Sequence, residues 1–583
     1  MQRFALVVVT AMLVASAGGA PGLSADNQTL YLSPSGSDSG SCTQSAPCLS
    51  FARAYQVASP GATVLVTCGK SSRCSYPAQS IPYTLAKRGS YTCRAAETFP
   101  SGQETRDDPS GCTTFRAGPD MKPSIASVAI EVPYVQLQGL DFSRGVFAGT
   151  ATARVNQPCS TWDVHDLILR DVTAADFVFD SVSYAYVLGG SYGPLLNDAS
   201  KVEPCTSGSA HTGGGHIAID GVTMHDYRQT DRAAHMECIH FQQGDDSLIV
   251  RSRFLNCAQQ DLSVQTQGGS SVVGLLVEDD VFDAACSHAE SGDVCGIVSG
   301  GTTTFICNAT GEHLANVTIR YNSMNGSPSF QRQQSCSMGD IAVRGNIVEG
   351  PPTAYSCTKE QQNGVAYAYN AFTNTAGPPC GAGNRLGATA SSTWVDPGRY
   401  DYHLKASSRA IELVPVSAAQ RTSVDIDGSL RPPRWRSDAG AYQRETALVV
   451  LGRSIGAVSM AERWSSVIAF FGKPQHTETS RAGRRVLTRL VYRVHGGLLW
   501  VMVEEGKVAG IGTSSRYYAT RTAVGPATSG GGLQGRTKVT WARCGRVLRH
   551  RFGKVVVQVA LAPGRGRIAS LSMATTGAIP RCR

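Results

Sequence analysis

The sequence predicts a mainly β protein, built as a solenoid of stacked short strands and followed by a small basic α+β domain. Three observations support this prediction. A short pattern recurs along the chain, apolar-alternating strands return at a regular step, and the charge changes sign near residue 445. We expect a signal peptide at residues 1–25, the solenoid at residues 26–445 and the basic domain at residues 446–583.

The recurring pattern lies between His235 and Val277. Residues 239–242 (Ile-His-Phe-Gln) return as residues 262–265 (Leu-Ser-Val-Gln), 23 positions later, and each copy leads into an apolar strand. A unit that repeats at such a spacing and cannot bury its apolar face alone is typical of a solenoid.

The predicted strands show period-2 alternation over only a few residues, which marks short strands. The eight clearest are at residues 135–137, 167–169, 217–219, 248–250, 275–277, 317–319, 341–343 and 365–367. The last three begin 24 residues apart. This step is too short for a strand–helix–strand crossover, and it suits a coil of two or three strands that rises by about 4.8 Å per turn.

Stacking of the coils predicts which side chains share one solvent face. With the apolar residues of the two copies inward, the outward set is Cys238, His240, Gln242, Asp261, Ser263 and Gln265. We therefore expect Gln242 to lie over Gln265. Asp261 is expected diagonal to His240, at about 7–8 Å.

The N-terminal region has the features of a secretory signal. Arg3 precedes an apolar stretch from Phe4 to Ala15, and small residues end near Ala20 or Ala25. The apolar stretch is too short to span a membrane. We expect an exported protein, secreted or extracytoplasmic, that is not transmembrane.

The 18 cysteines agree with export, because an even number without zinc-ribbon spacing favours a disulfide framework. Plausible partners close in sequence are Cys42/Cys48, Cys68/Cys74, Cys93/Cys112, Cys357/Cys380 and Cys544/Cys582. The sequence alone does not fix this connectivity.

The mature start reads as a strand from Leu30, a turn-rich loop, a short helix and a new strand near residue 63. The helix carries Phe51, Ala54 and Val57 on one side. A helix over the open end of a solenoid is the expected cap, because uncovered strand edges invite pairing with other chains.

Several separated segments resemble the right-handed parallel β-helix proteins of the pectate-lyase-like superfamily. They are the N-terminal cap, residues 76–81 and 114–119, and the closing segments at residues 400–404, 425–432 and 438–442. The resemblance covers about residues 28–443. It implies a right-handed parallel β-helix but no single activity, because the superfamily holds lyases, hydrolases, esterases and non-catalytic surface proteins.

The C-terminal part differs in charge from the rest of the chain. From residue 446 it has 22 Lys and Arg against 4 Glu and no Asp, a formal charge of +18, whereas the remainder carries −9. Opposite signs argue for two domains. A helix is expected at residues 459–471, with strands at 486–494, 498–503 and 508–511 and a second round at 547–552, 555–560 and 568–573. This order loosely resembles the small tandem modules of β-lactamase-inhibitor proteins.

The candidate catalytic residues cluster around the recurring pattern. They are His240 and Asp261 on the outward face, with Glu237, Arg251 and His235 nearby. The candidate substrate-binding residues are Gln242, Gln265, Asp245 and Asp246. Hydrolysis of a glycosidic bond needs two facing carboxylates, and elimination needs a base beside a cation that neutralises charge. The resemblance implies calcium held by stacked acids in eliminating members, and no other cofactor is indicated.

Each candidate also has an ordinary structural interpretation. Gly244-Asp245-Asp246 between two strands is a common turn sequence, and His240 with Asp261 fits a solvated polar ladder.

Two functional hypotheses follow. The first is a secreted β-helix protein that binds, and as a lyase or glycosidase cleaves, an acidic or neutral polysaccharide.

The second hypothesis is a non-catalytic, adhesin-like or structural surface protein. Its basic domain would anchor it to an anionic cell-envelope polymer, because a formal +18 attracts polyanions without specific recognition. Nucleic acid is disfavoured as a partner on compartment grounds. We expect a monomer.

Overall fold

The protein is a right-handed parallel β-helix followed by an antiparallel sheet. The structure is a computed structural model that describes residues 28–575. Its gaps fall at residues 88, 150–163, 204–213, 233–235, 268, 284–285, 296–301, 349–362, 374–380, 406, 416–423, 433–435, 445–446, 448, 483–484, 495–496, 521–523, 527–532, 534–536, 538–539, 545 and 563–566. The predicted signal peptide, His235 and the Cys357/Cys380 pair lie outside the described residues.

The first sheet runs the length of the solenoid. Within the described residues its strands are, in spatial order, Thr29–Leu32, Thr63–Val66, Thr113–Ala117, Val135–Gln138, His165–Arg170, Ser183–Leu188, Ile217–Asp220, Ser247–Val250, Val272–Glu278, His313–Arg320, Ser337–Arg344 and Val365–Ala368. All eight strands predicted from the sequence lie here. The strand Ser183–Leu188 was missed, because Tyr184 and Tyr186 place aromatic side chains on its outer face and hide the alternation.

The second and third sheets complete each coil. The described strands of the second are Arg73–Tyr76, Lys122–Ile125, Asp141–Phe142, Thr173–Ala174, Ser191–Tyr192, Leu195–Leu196, Thr223–Arg228, Arg253–Cys257, Val281–Phe282, Ser323–Met324, Ile347–Val348 and Ala371–Phe372. Those of the third are Gln79–Ile81, Val128–Ile130, Val146–Gly149, Phe177–Asp180, Ser200–Glu203, Glu237–Phe241, Gln260–Gln265, Thr303–Cys307 and Pro328–Arg332.

Parallel pairing confirms the predicted stacking of the recurring pattern. Ile239 pairs with Leu262 and Phe241 with Val264, which preserves the 23-residue offset. These four side chains are fully buried in the interior of the solenoid. The core is therefore a pile of apolar residues contributed by successive coils.

A ladder of asparagines lies in the turn between the first and second sheets. Asn322, Asn346, Asn370 and Asn384 follow one another along the axis. In each step the Oδ1 of the next asparagine accepts from the backbone N–H and from Nδ2 of the one before, at 2.8–3.1 Å. The first three are fully buried, so their amide groups are satisfied by each other and by backbone carbonyls.

The N-terminal end is capped as the sequence predicts. The helix Phe51–Val57 begins after Ser50, whose side chain accepts from the backbone N–H of Arg53. Phe51 is buried and stacks on Phe115 with ring centroids 4.4 Å apart. The cap therefore covers the apolar first coil. A 3₁₀ turn at Tyr83–Leu85 follows.

Six disulfides are present among the described residues. The predicted pairs Cys42–Cys48, Cys68–Cys74 and Cys93–Cys112 are confirmed. Three further pairs are Cys238–Cys257, Cys286–Cys295 and Cys307–Cys336. Cys544 is also disulfide-bonded, and its predicted partner Cys582 lies outside the described residues. Framework cysteines of this kind fit an oxidising, extracytoplasmic compartment.

A short closing segment packs against the last coils. It contains the helix Ala390–Thr393, the antiparallel strands Trp394–Asp396 and Asp401–Leu404, and a 3₁₀ turn at Pro397–Arg399. Trp394 and Tyr402 are buried there in a second apolar cluster.

The C-terminal part has its own apolar core and a large antiparallel sheet. The described strands of that sheet are, in spatial order, His476–Ala482, Arg485–Val494, Gly497–Glu504, Lys507–Thr513, Ile568–Thr575, Val555–Leu561, Val547–Phe552 and Ala542–Cys544. Three short antiparallel strands, Val449–Val450, Ser454–Ile455 and Val458–Ser459, precede the helix Trp464–Phe471.

The predicted helix at residues 459–471 is thus shorter, because Ser459 ends a short strand and a turn precedes Trp464. The edge strand His476–Ala482 was missed because its first six residues are all polar and show no alternation. The predicted boundary at residues 445 and 446 lies outside the described residues, and the division into domains stays a prediction. Within the described part of the chain, no helix has the length and apolar character needed to cross a membrane.

Candidate functional site

A disulfide-closed excursion covers the outer face of the first sheet. We call residues 89–112 the arm. Cys93 and Cys112 join its two ends, and isolated antiparallel bridges pair Arg94 with Asp108 and Thr98 with Glu104. An apolar patch of the arm, with Phe99 fully buried, packs on outward residues of five consecutive strands. The arm is therefore a fixed part of the surface.

Polar contacts hold the arm along its length. Arg94 Nε donates to Asp166 at 2.7 Å, and its guanidinium lies over the ring of Tyr184 at 3.7 Å from the centroid. At the tip, the backbone N–H and the hydroxyl of Ser101 both donate to Asp246 at 2.6 Å. These contacts lie on one edge of the sheet, so the other edge of the arm stands over a cleft.

The cleft consists of two cavities of about 410 and 440 Å³, one on each side of Glu97. Its floor is formed by the last residues of successive first-sheet strands. Parallel pairing stacks Leu188, Asp220, Val250 and Glu278 in one row there. We call this groove the arm cleft. It runs along the solenoid axis, across the strands.

The centre of the arm cleft holds two carboxyl groups and a guanidinium. Glu97 hangs from the arm, Asp220 ends its strand, and Arg251 follows the next strand in a left-handed conformation (φ 52°) that turns its side chain back. Arg251 donates to Asp220. Burial, together with the charge of Asp220 and a hydrogen bond to it, raises the pKa of Glu97 to about 7, although Arg251 acts in the opposite direction.

Acidic groups outnumber basic ones around this centre. Six carboxylates and two arginines line the two cavities. Of the carboxylates, Glu278 is paired with Arg320 at 2.5 Å and Asp107 with Arg170 at 3.2 Å. The excess of carboxylates therefore disfavours anionic ligands relative to neutral or cationic ones.

The residues predicted as a site from the sequence do not share one groove. Glu237 and His240 lie on the third sheet, whereas Arg251 lies in the arm cleft at the end of a first-sheet strand. Glu237 is buried. Among the predicted catalytic residues that the structure describes, only Arg251 lies at the arm cleft.

His240 is part of the polar ladder that the sequence also allowed. Its Nε2 lies 3.2 Å from Gln265 Oε1 and 3.2 Å from Gln242 Nε2, and Gln242 donates to Gln267 at 2.6 Å. Gln242 and Gln265 are thus brought together through His240. No Asp or Glu joins these contacts among the described residues.

The expected outward positions of Asp261 and Cys238 are wrong. Both are fully buried, and Cys238 is bonded to Cys257. Asp261 lies where the coil turns from the second to the third sheet. Burial, reinforced by nearby Asp283, raises its pKa well above the usual value. It therefore has no access to a substrate on the surface.

Asp245 and Asp246 lie in the turn that the sequence suggested, and they also line a third cavity of about 570 Å³ beneath Ser101. Asp246 has φ 51° and contacts His216 at 3.3 Å as well as the arm. Asp245 accepts from the backbone N–H of Val273 at 2.9 Å. The observed contacts of Asp245 and Asp246 hold the turn and the arm in place.

Sequence reasoning missed Glu97 and Asp220. Glu97 lies within the Cys93–Cys112 pair, and a charged excursion closed by a disulfide is a signal that could have drawn attention to it. Asp220 directly follows the predicted strand at residues 217–219, where a polar turn residue is ordinary. Its partner on the arm is 123 positions away in the sequence, and alternation along strands carries no information about such pairs.

Metal-ligand spacing occurs once among the described residues. One group, Cys238, Cys257 and Asp261, has suitable spacing, but the two cysteines form a disulfide and offer no thiolate. This group therefore does not fit a metal site.

Known proteins resemble this chain only distantly. No family model matches the sequence, and no curated protein matches it. Among solved structures, pectate lyase Pel9A is 12% identical, with 72% of this chain and 96% of that chain covered and a TM-score of 0.39. XylC, solved in complex with xylose, is 10% identical, with 71% and 98% covered and a TM-score of 0.38.

A cysteine-rich secretory protein from Staphylococcus aureus is also similar over a shorter region. It is 10% identical and has a TM-score of 0.17, and the match covers 20% of this chain and 45% of that chain. This chain thus matches less than half of that protein's length. The assignment of the fold rests on the three parallel sheets themselves.

Proposed function

We propose that the protein binds an extracellular polysaccharide in the arm cleft and hydrolyses it, with Glu97 as the general acid. The observation that carries this proposal is the position of Glu97 between two cavities of one groove, against Asp220 and Arg251. A groove that runs along a solenoid accommodates a linear polymer, because successive coils offer similar surfaces to successive sugar residues.

The chemistry of Glu97 supports this role. A carboxyl group with a pKa of about 7 is largely protonated in mildly acidic solution and still gives up its proton readily. Glu97 can thus protonate the glycosidic oxygen as the bond to the anomeric carbon breaks. The carboxylate left on Glu97 lies beside Arg251, whose positive charge favours the ionised form.

The catalytic base must be a different carboxylate. Asp220 is in hydrogen-bond contact with Glu97, whereas the two carboxyl groups of glycosidases stand roughly 5–9.5 Å apart. Glu104 lines the cavity on one side of Glu97 and Asp171 lines the cavity on the other side. We propose one of these two as the base that activates water.

A neutral polysaccharide fits the arm cleft better than a uronate polymer. The excess of carboxylates would repel an anionic chain, and elimination from uronates would need a bridging cation such as calcium to neutralise the charge. The framework of six described disulfides agrees with action outside the cytoplasm.

The test is a screen of neutral and acidic polysaccharides, each with added calcium and with a chelator. We expect new reducing ends from a neutral polymer, no dependence on calcium and no ultraviolet-absorbing unsaturated product. Unsaturated product that requires calcium would replace hydrolysis by elimination.

Substitutions test whether the reaction takes place in the arm cleft. Glu97→Gln is expected to lower kcat by about 10²–10⁴-fold, the usual contribution of a general acid. Glu290→Gln is the matched control, because Glu290 is exposed and is paired with Arg228 outside the cleft. Equal activity of Glu97→Gln and the wild type would contradict the proposal. Binding without any turnover by the wild type would favour the non-catalytic surface protein.

A further inference from the structure

The C-terminal sheet has one packed face and one open face. On the packed face Leu490, Tyr492 and Val501 are buried against the helix Trp464–Phe471 and its neighbours. The residues that alternate with these along the same strands point to the other face of the sheet. We call the surface formed by the opposite side chains the open face. Arg493 and Arg551 on it are exposed, and Trp500 is half-buried.

An indole ring lies flat at the centre of the open face. Trp500 pairs with Gly512 on the neighbouring strand. A Cβ atom at Gly512 would meet three atoms of that ring at 2.4–2.6 Å. The ring thus covers the glycine with one of its faces, and its other face points away from the sheet. Met502 lies over Gly510 in the same way.

Arginines lie on both sides of the Trp500 ring on the open face. Arg489 and Arg493 lie on the strand next to Trp500, and the guanidinium of Arg489 is 5.6 Å from the ring centroid. Arg549 and Arg551 lie on the same face of the strand Val547–Phe552. Five strand steps separate the two pairs, roughly 24 Å at about 4.8 Å per strand.

Acidic residues are few on the open face and already have partners. Glu478 contacts Arg489 at 3.4 Å and His476 at 3.0 Å, and Glu504 contacts Arg485 at 3.3 Å. The face therefore carries a net positive charge around an aromatic ring.

We propose that the open face binds an acidic polysaccharide, with one sugar ring stacked on Trp500 and the carboxylates of other sugar residues along the chain paired with Arg493 and Arg551. The apolar C–H face of a pyranose packs on an indole, and guanidinium groups bind carboxylates with two parallel hydrogen bonds. A single-stranded nucleic acid also combines rings with anions, but the disulfide framework argues for a compartment where glycans are the available polyanion. This surface is distinct from the arm cleft, and the proposal does not depend on the proposed hydrolysis.

The experiment measures binding of the full chain to polygalacturonate, with single-stranded oligothymidylate as the second probe. Trp500→Ala is expected to weaken polygalacturonate binding about tenfold. Trp464→Ala is the matched control, because Trp464 is exposed on the helix outside the open face. Gly512→Ala keeps the indole but displaces it, and it is expected to weaken binding in the same direction.

The charge contribution is tested separately. Arg493→Gln with Arg551→Gln is expected to weaken binding and to reduce its dependence on salt. Arg453→Gln, an equal change per residue in an exposed turn, is expected to have little effect. Unchanged affinity in Trp500→Ala, or no binding of polygalacturonate by the wild type at low salt, would overturn the proposal. Tighter binding of oligothymidylate that is lost in the same variants would assign the face to nucleic acid instead.

Discussion

At the scale of single residues, environment rather than residue type decides which carboxyl group does chemistry. Glu97 and Asp261 are both acids with raised pKa values. Glu97 lines two cavities that open to solvent, whereas Asp261 is sealed inside a coil turn. Only an acid that is both perturbed and accessible can exchange a proton with a substrate.

The pH dependence of hydrolysis should report Glu97. Because the acid must be protonated, kcat/KM is expected to be maintained below pH 7 and to fall as the pH rises through about 7, the pKa of Glu97 in the free protein. Asp220→Asn removes the charge that helps raise this pKa, so the falling limb should move to lower pH. A falling limb that stays in place in Asp220→Asn would contradict the coupling of the two groups.

His403 provides a second pH-dependent residue, remote from the cleft. Hydrogen bonds to Asp427 and Asp401 raise its pKa to about 9, against a smaller opposing effect of burial. Since the folded pKa exceeds the unfolded value of about 6.5, the charged histidine stabilises the fold below pH 6.5. That stabilisation is lost as the pH rises towards 9.

The expected observation is a difference in Tm between the wild type and His403→Gln that is largest near pH 6 and shrinks by pH 9.5. The effect should be small, because the His403 side chain is 52% exposed and solvent screens the pairs. His313→Gln, at an exposed strand position, serves as the control. A difference that does not change with pH would contradict the assignment.

Sequence reasoning could place His240, Gln242 and Gln265 together because all three follow from one alternating register. It failed for Asp261, since burial at a coil turn depends on the chain that packs over it. That chain is the closing segment, in which Tyr402 donates to Asp283 next to Asp261. No local pattern near residue 261 contains this information.

At the scale of elements, the asparagine ladder fixes the turns that join the first and second sheets. Asn346→Ala removes the Oδ1 that accepts from the backbone N–H and Nδ2 of Asn322. It also removes the Nδ2 that donates to Asn370 Oδ1 and to the carbonyl of Ile319. Buried groups left without partners cost about 1–3 kcal/mol each. We expect a loss of roughly 2–4 kcal/mol in the free energy of unfolding, measured by denaturant titration.

Asn197→Ala is the control for this substitution, because Asn197 makes its side-chain hydrogen bonds on the exposed surface. A cost for Asn346→Ala no greater than that for Asn197→Ala would show that the ladder contributes little. The 24-residue spacing of the last strands was readable in the sequence, and the same spacing separates Asn322, Asn346 and Asn370. The stacking of these asparagines could therefore have been predicted from the repeat spacing.

The arm depends on its disulfide and on its tip. Replacing Cys93 and Cys112 by serine should leave the tip held by Asp246 but let the segment around Glu97 move. We expect a rise in KM for the polysaccharide and faster proteolysis within residues 89–112. The equivalent Cys68→Ser/Cys74→Ser variant, whose disulfide lies at the second sheet, should retain the wild-type KM. Equal changes in KM for both variants would contradict a specific role of the arm.

At the scale of the whole molecule, the two surfaces proposed to bind polymers carry opposite charge. The strand pattern, the cap helix and the sign change of the charge were all readable in the sequence, because each is a local or compositional property. The arm cleft and the open face were not. The arm cleft arises where segments far apart in the sequence meet, as Glu97 meets Asp220. The open face depends on the register of a hairpin, which places Trp500 beside Gly512.

The two proposed surfaces should act independently on separate probes and jointly on a composite material. Glu97→Gln is expected to bind polygalacturonate with wild-type affinity, and Trp500→Ala to hydrolyse a short soluble neutral substrate at the wild-type rate. On an insoluble mixture of neutral and acidic polymers, Trp500→Ala should release less product, because anchoring raises the local concentration of the neutral chain near the cleft. Adding salt should abolish this advantage of the wild type, since screening weakens the contacts of the exposed arginines. If Trp500→Ala and the wild type release equal product from the mixture at low salt, the open face does not bring the protein to the neutral polymer.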